Sequence, residues 1–166
     1  MILRHLLSIL LLPFTAVIVV PYLLLGGTET HLPPRDSLWK VARICAGVVL
    51  FLGGLGLFVG SVGLFARVGR GTLAPWDPTR NLVAVGPYRY VRNPMISGVA
   101  LMLLGEALFW SSTAVGLWAG GFLIINHVYF ILAEEPGLEQ RFGDAYRDYK
   151  AHVPRWIPRA RPWTGG

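Results

Sequence analysis

Long apolar runs, separated by two clusters of charge, constrain this sequence more than any other feature. A helix needs about 20 apolar residues to cross the hydrocarbon core of a bilayer, and such runs occupy residues 6–25, 41–65 and 114–133. Only 14% of the residues are charged, whereas soluble domains have about 25%. These charges concentrate in residues 67–92 and 134–161. The pattern predicts an all-α integral membrane bundle.

A shorter apolar run, residues 95–110, pairs with the third long run as a predicted helical hairpin. The bundle is therefore expected to have about four transmembrane helices, with a helix pair in residues 1–66 and the remainder in 67–166. One membrane domain over residues 1–166 is the default at this length. A signal peptide is the alternative for the first run, but the run is too long and lacks a clear cleavage site, so we expect a retained helix.

The basic residues predict the orientation. With four spans, all of the 15 Lys and Arg residues except Arg35, Lys40 and Arg43 lie on one side. The positive-inside rule places that side, with both termini, in the cytoplasm, which for a bacterial protein means the plasma or inner membrane. The net charge of +6 is then explained by anionic membrane lipids, and no nucleic acid partner is predicted. The single cysteine, Cys45, offers no cysteine-based metal site, and none is predicted.

Two further patterns predict packing. Gly56 and Gly60 form a Gly-x-x-x-Gly pair, which lets a second helix backbone approach closely. Residues 134–149 have helical spacing and one apolar face, so we expect a C-terminal interfacial helix at the membrane surface. The residues of that face are Leu138, Phe142, Ala145 and Tyr149.

The first candidate for chemistry is the segment 86–95, which has turn signals at both ends. It would hold Tyr88, Arg89 and Arg92 just before a membrane helix. Pro94 suits the first turn of that helix, whose free N–H groups and positive dipole end favour an anionic ligand group.

The second candidate is the acidic pair Glu134-Glu135, which directly follows an apolar run. Carboxylates near the end of a span are costly unless they are paired or hydrated. Three partners remain open: Arg89 or Arg92, a cationic ligand, or the hydroxyls of a ribose. Spacing alone favours an ion pair with an arginine.

These two segments together resemble the isoprenylcysteine carboxyl methyltransferase and phospholipid methyltransferase superfamily. The likeness covers about residues 72–158 and includes the paired glutamates, Phe142-Gly143, Tyr146, Tyr149 and Val153-Pro154. It implies a membrane enzyme that moves a methyl group from S-adenosylmethionine to a lipophilic or lipidated acceptor, such as a prenylcysteine-like carboxylate or a lipid amine. A non-catalytic membrane protein of the same fold, acting as a partner or assembly factor, is the alternative. The oligomeric state stays open.

The resemblance also implies residue roles. The catalytic set is Arg92, Asn93 and Glu134. The cofactor-binding set is Leu82, Val83, Tyr88, Asn93, Pro94, Met95, Ile96, Glu134 and Glu135. Asn93 stands where the family has histidine and Ile96 where it has tyrosine, and asparagine cannot serve as a base. Phe130 stands in place of the family's substrate arginine, so the acceptor stays open among amine, thiol and carboxylate.

Two polar residues inside the apolar runs have simpler explanations. Glu106 is expected to pair with Arg43 or to extend its carboxylate to the interface. His127 is expected to be a core histidine with its hydrogen bonds satisfied, rather than a catalytic base. We also expect it to lie on the same helix face as Glu134.

Overall fold

The computed structural model describes residues 10–27, 38–69 and 80–165, and every regular element in these ranges is helical. The all-α prediction is therefore confirmed for this part of the chain. The α-helices are α1 (Val20–Gly26), α2 (Leu38–Leu64), α3 (Pro94–Trp110), α4 (Thr113–Tyr129), α5 (Glu135–Phe142) and α6 (Asp144–His152). The π-helical segments Leu10–Val19, Phe65–Gly69 and Phe130–Glu134 adjoin α1, α2 and α4, and a 3-10 turn, Gly86–Arg89, precedes α3.

Two helices are long and apolar enough to cross a membrane, Leu38–Gly69 and Thr113–Phe142. Pro13–Gly26 and Pro94–Trp110 are shorter apolar helices. The latter has 17 residues and rises about 26 Å, slightly less than the hydrocarbon core of about 30 Å. This short helix begins at Pro94, as predicted. The count of four transmembrane helices stays a prediction, and the start of the first run, residues 6–9, lies outside the described residues.

The chain divides into two compact units, each assembled from separate stretches of sequence. One unit comprises Met1–Gly56 and Gly98–Ile124, and the other comprises Leu57–Ser97 and Ile125–Gly166. Every predicted site residue lies in the second unit. The predicted division at residues 66 and 67 within one membrane domain stays a prediction.

In the first unit, glycines bring α2 and α3 into backbone contact. A Cβ atom added to Gly54 would lie 2.5 Å from a carbonyl oxygen of α3, and one added to Gly105 would lie 2.6 Å from the Gly47 oxygen. The predicted contact at Gly56 and Gly60 is wrong, since a Cβ at either position meets nothing within 4 Å among the described residues. Gly56 lies two residues beyond Gly54, about 200° around the helix.

The hairpin between α3 and α4 is closed by Ser112, whose Oγ accepts a hydrogen bond from the Val115 N–H at 3.3 Å. Near this end, Arg43 donates to the carbonyl of Leu108, which also accepts from the Ser111 N–H at 3.3 Å. The expected pairing of Arg43 with Glu106 is therefore wrong. One carboxyl oxygen of Glu106 is buried and has no hydrogen-bond partner in the described part of the chain.

In the second unit, α5 and α6 meet at Gly143, which has a φ of 54°. A core of Tyr146, Tyr149 and Val153 packs there against other apolar side chains. The predicted face is wrong at one position: Ala145 is exposed and Tyr146 is buried, because the break at Gly143 resets the helical phase. The packed neighbours are Leu82, Ala84, Leu138, Phe142 and Trp163. The position of this segment at the membrane surface stays a prediction.

Candidate functional site

The site begins with the turn that precedes α3. Gly86 has a φ of 57°, a left-handed conformation that glycine adopts without steric cost. The following 3-10 turn buries Tyr88, which is 5% exposed. The Tyr88 ring lies 5.6 Å from that of Phe65, between centroids. The predicted constrained stretch is confirmed, and it holds the Tyr88 hydroxyl inside the unit.

The C-terminal tail fixes the backbone of this turn. The tail segment after α6 runs beside residues 88–92 and exchanges hydrogen bonds with them. The pairs are Arg92 N–H to Pro154 oxygen at 2.9 Å, Arg159 N–H to Tyr90 oxygen at 3.0 Å and Trp163 N–H to Arg89 oxygen at 2.9 Å. From α6 itself, the Tyr149 hydroxyl donates to the Tyr88 oxygen at 2.7 Å. Because these contacts are to the backbone, the sequence of the turn alone does not reveal them.

Glu135 is the ion-paired member of the acidic pair. Its side chain is 8% exposed, and its Oε1 accepts from Arg92 at 2.9 Å and from Arg155 at 2.6 Å. Its Oε2 lies 3.0 Å from the Lys150 Nζ. The ion pair that spacing favoured is thus confirmed for Arg92. Arg155 and Lys150 were missed, since nothing in the sequence distinguishes them from the other cations of the basic C-terminal stretch.

Glu134 has a different environment. It is half-buried and makes no hydrogen bond or ion pair with any residue in the described ranges. Its carboxylate is within electrostatic range of Tyr88: burial raises the pKa of the Tyr88 hydroxyl well above its usual range, and the negative charge of Glu134 adds to that rise. Tyr88 therefore stays protonated and can donate a hydrogen bond beside an acidic group.

The π-helical segment Phe130–Glu134 explains why the two glutamates differ. In an uninterrupted α-helix, Glu134 would share the face of His127, seven residues earlier. A π turn inserts about one extra residue, so Glu135 takes that place instead. Arg155 shows this alignment, because it binds Glu135 and also lies 3.3 Å from the His127 Nδ1. The expected shared face of His127 and Glu134 is wrong for this reason.

His127 itself is satisfied at one ring nitrogen, as expected. The indole Nε1–H of Trp156 donates to its Nδ1 at 3.1 Å. The Trp156 ring also lies 5.7 Å from that of Phe130, between centroids. The tail therefore contacts the membrane helix through an aromatic cluster as well as through Arg155.

Several buried polar atoms of the second unit have no hydrogen-bond partner among the described residues: Ser61 Oγ, the Tyr88 hydroxyl and Arg92 Nε. Leaving a buried polar group unpaired costs about 1–3 kcal/mol. Ser61 is close enough to Tyr88 to act on its pKa, and its sequence signal is a polar residue inside a span. With Glu134, these groups offer an anionic acceptor and N–H and O–H donors. They fit S-adenosylmethionine, which has a cationic sulfur, an amino group, a carboxylate and ribose hydroxyls.

The other predicted site residues belong to the same unit, and their side chains are mostly buried. Val83, Pro94 and Met95 are buried, and Ile96 is partly buried. Leu82 packs on the tyrosine core. The carbonyl of Asn93 accepts from the Ser97 N–H at 3.0 Å, so this residue caps the start of α3, which begins at Pro94. The cofactor contacts of all of these residues stay predictions.

These features define an all-helical membrane protein with a buried acidic and arginine-rich site next to its apolar helices. The family model of phospholipid methyltransferase matches residues 42–145, more than half of the chain. The chain belongs to the phospholipid methyltransferase family. The predicted resemblance is confirmed, and the matched range includes Tyr88, Arg92 and both glutamates but not Arg155.

Two relatives are similar to parts of the chain. Methanethiol S-methyltransferase 2 of Bradyrhizobium diazoefficiens is 33% identical over 75 residues, which are 43% of this chain and 27% of that protein. The chain therefore matches about a quarter of that enzyme. An uncharacterized protein of Haemophilus influenzae is 35% identical over 63 residues, which are 38% of this chain and 100% of that protein. No solved structure matches the chain.

Proposed function

We propose that this chain is an S-adenosylmethionine-dependent methyltransferase that acts on a lipophilic acceptor in the membrane. The observation that carries the proposal is Glu134: a half-buried carboxylate without a partner in the described ranges. It lies within electrostatic range of the buried Tyr88 hydroxyl, which has no hydrogen-bond partner among the described residues either. Membership of a methyltransferase family supports it. The alternative of a non-catalytic partner or assembly factor has no comparable observation in its favour.

The chemistry asks little of the protein beyond binding and orientation. S-adenosylmethionine supplies a methyl group whose bond to the cationic sulfur breaks as the bond to the acceptor forms, leaving a neutral thioether. Glu134 would accept hydrogen bonds from the cofactor's amino group or ribose and balance its positive charge. Arg92 and the first N–H groups of α3, after Asn93, would hold its carboxylate. Water at the cytoplasmic face would take any proton released by the acceptor.

The proposed topology gives each substrate its own route. With four transmembrane helices and both termini in the cytoplasm, the soluble cofactor would enter from the cytoplasm and the acceptor from the bilayer. A labelled-methyl transfer assay should test lipid amines, prenylcysteine analogues and long-chain thiols. The name of the Bradyrhizobium relative is the reason to include thiols.

Glu134→Gln should weaken binding of S-adenosylmethionine by at least about tenfold, roughly 1.4 kcal/mol, since the amide keeps the shape but loses the charge. Calorimetric titration of the purified protein measures this. Glu139→Gln is the matched control, because Glu139 is bound by Lys150 at the partly exposed edge of the cluster, and it should leave affinity within about twofold.

Glu135→Gln should act mainly on folding. It leaves two largely buried guanidinium groups, those of Arg92 and Arg155, without their carboxylate, which costs up to about 3 kcal/mol. If Glu134→Gln binds S-adenosylmethionine as tightly as the unchanged protein, Glu134 is not part of the cofactor site. No binding of S-adenosylmethionine by the folded, unchanged protein would reject the enzyme and leave the non-catalytic alternative.

A further inference from the structure

We infer that His127 binds an oxygen atom of a lipidic methyl acceptor through its Nε2–H group. The inference rests on the proposed function and names the acceptor side of the same site. It begins with the hydrogen bonds of the imidazole ring. The indole nitrogen of Trp156, which lies 3.1 Å from the His127 Nδ1, is a donor and never an acceptor.

Nδ1 must therefore be the unprotonated nitrogen of the ring. The Arg155 Nη1 at 3.3 Å is a second donor on the same side, so a proton on Nδ1 would face two N–H groups. The ring proton thus lies on Nε2. Since its acceptor nitrogen is already occupied, His127 does not act as a base, and what it offers to a ligand is a hydrogen-bond donor.

That donor has no acceptor among the residues that the structure describes, and the side chain is partly exposed. Val128 and Ile131 beside it expose 47% and 44% of their surface. All three belong to the candidate membrane span Thr113–Phe142, and in the hydrocarbon part of a span water does not satisfy a polar group. The partner that the surroundings supply is an oxygen of a lipid, either an ester carbonyl or a phosphoryl oxygen.

The position of His127 identifies this lipid as the acceptor rather than a structural lipid. The Arg155 guanidinium contacts both the His127 Nδ1 and the Glu135 carboxylate. Glu135 is next in sequence to Glu134, the side chain proposed to bind the cofactor. Seven residues separate His127 from Glu134, a rise of about 10 Å along the helix. A glycerolipid whose reactive headgroup lies at the level of Glu134 would place its glycerol oxygens deeper in the bilayer, at the level of His127.

The test uses the full-length protein in alkyl maltoside micelles, which contain no ester or phosphoryl oxygen. Three acceptors are compared: dioleoyl phosphatidylethanolamine, its diether analogue, which lacks ester carbonyls, and dodecylamine, which lacks both oxygens. His127→Leu should raise KM for the diacyl lipid about tenfold. It should leave KM for dodecylamine and the dissociation constant of S-adenosylmethionine within about twofold. His127→Gln should restore KM, because its amide accepts from Trp156 and donates to the lipid.

The diether lipid identifies the oxygen. If His127→Leu raises KM for the diether lipid as much as for the diacyl lipid, the bound oxygen belongs to the phosphoryl group. If KM for the diether lipid does not change, the bound oxygen is an ester carbonyl. The inference is overturned if His127→Leu raises KM for dodecylamine equally or leaves KM for the diacyl lipid unchanged. It is also overturned if the variant binds S-adenosylmethionine more weakly. Methyl transfer to other acceptors but not to phosphatidylethanolamine, with cofactor binding intact, would overturn it too. Failure of the unchanged protein to bind S-adenosylmethionine would instead reject the proposed function, and the inference with it.

Discussion

At the scale of single residues, Gly86 sets the direction of the turn that carries Tyr88. Its φ of 57° lies in the left-handed region, and an added Cβ would come within 2.9 Å of the Leu64 Cδ1. Gly86→Ala should therefore lower the free energy of unfolding by about 1–2 kcal/mol. Thermal unfolding in detergent measures the effect.

Gly137→Ala is the matched control in the same unit. Gly137 lies inside α5, and a Cβ there meets nothing within 4 Å, so alanine should stabilise the helix by about 0.5–1 kcal/mol. Equal unfolding temperatures for the two variants would contradict the role of backbone conformation at Gly86.

At the scale of elements, the C-terminal tail is a structural part of the site. Trp163 exchanges hydrogen bonds with Arg89, and its ring lies 5.3 Å from that of Tyr149. Truncation after Arg159 removes these contacts. We expect about tenfold weaker binding of S-adenosylmethionine, because two hydrogen bonds of about 0.5–1.5 kcal/mol each no longer hold the turn.

The control truncation ends after Trp163 and keeps every one of those contacts. Its affinity should equal that of the full chain in the same calorimetric titration. If the two truncated proteins bind the cofactor equally well, the tail does not position the turn.

At the scale of the whole molecule, the asymmetry of basic residues predicts that both termini lie in the cytoplasm. Gly165→Cys in a Cys45→Ala background provides a single reactive thiol near the C-terminus. A membrane-impermeant maleimide should label it in inverted membrane vesicles and not in intact cells. Labelling in intact cells would show the opposite orientation and would place the proposed cofactor site on the wrong face.

The sequence alone predicted the helical class, the start of α3 at Pro94, the turn before it and the arginine partner of the acidic pair. Each of these depends on local chemistry: apolar length, the fixed φ of proline, turn residues and the cost of an unpaired carboxylate near lipid. The family resemblance rested on the same short segments.

Other features were decided by the tertiary structure. The sequence could not rank Gly47 and Gly54 above Gly56 and Gly60, because the face of α2 that meets α3 depends on packing. It also could not separate the two glutamates. The π turn at Phe130–Glu134 and the arrival of Arg155 from the tail give Glu135 its ion pairs, whereas Glu134 has no partner in the described ranges. Sequence spacing assumes an uninterrupted helix, whereas one inserted residue per π turn changes which side chain faces its partner.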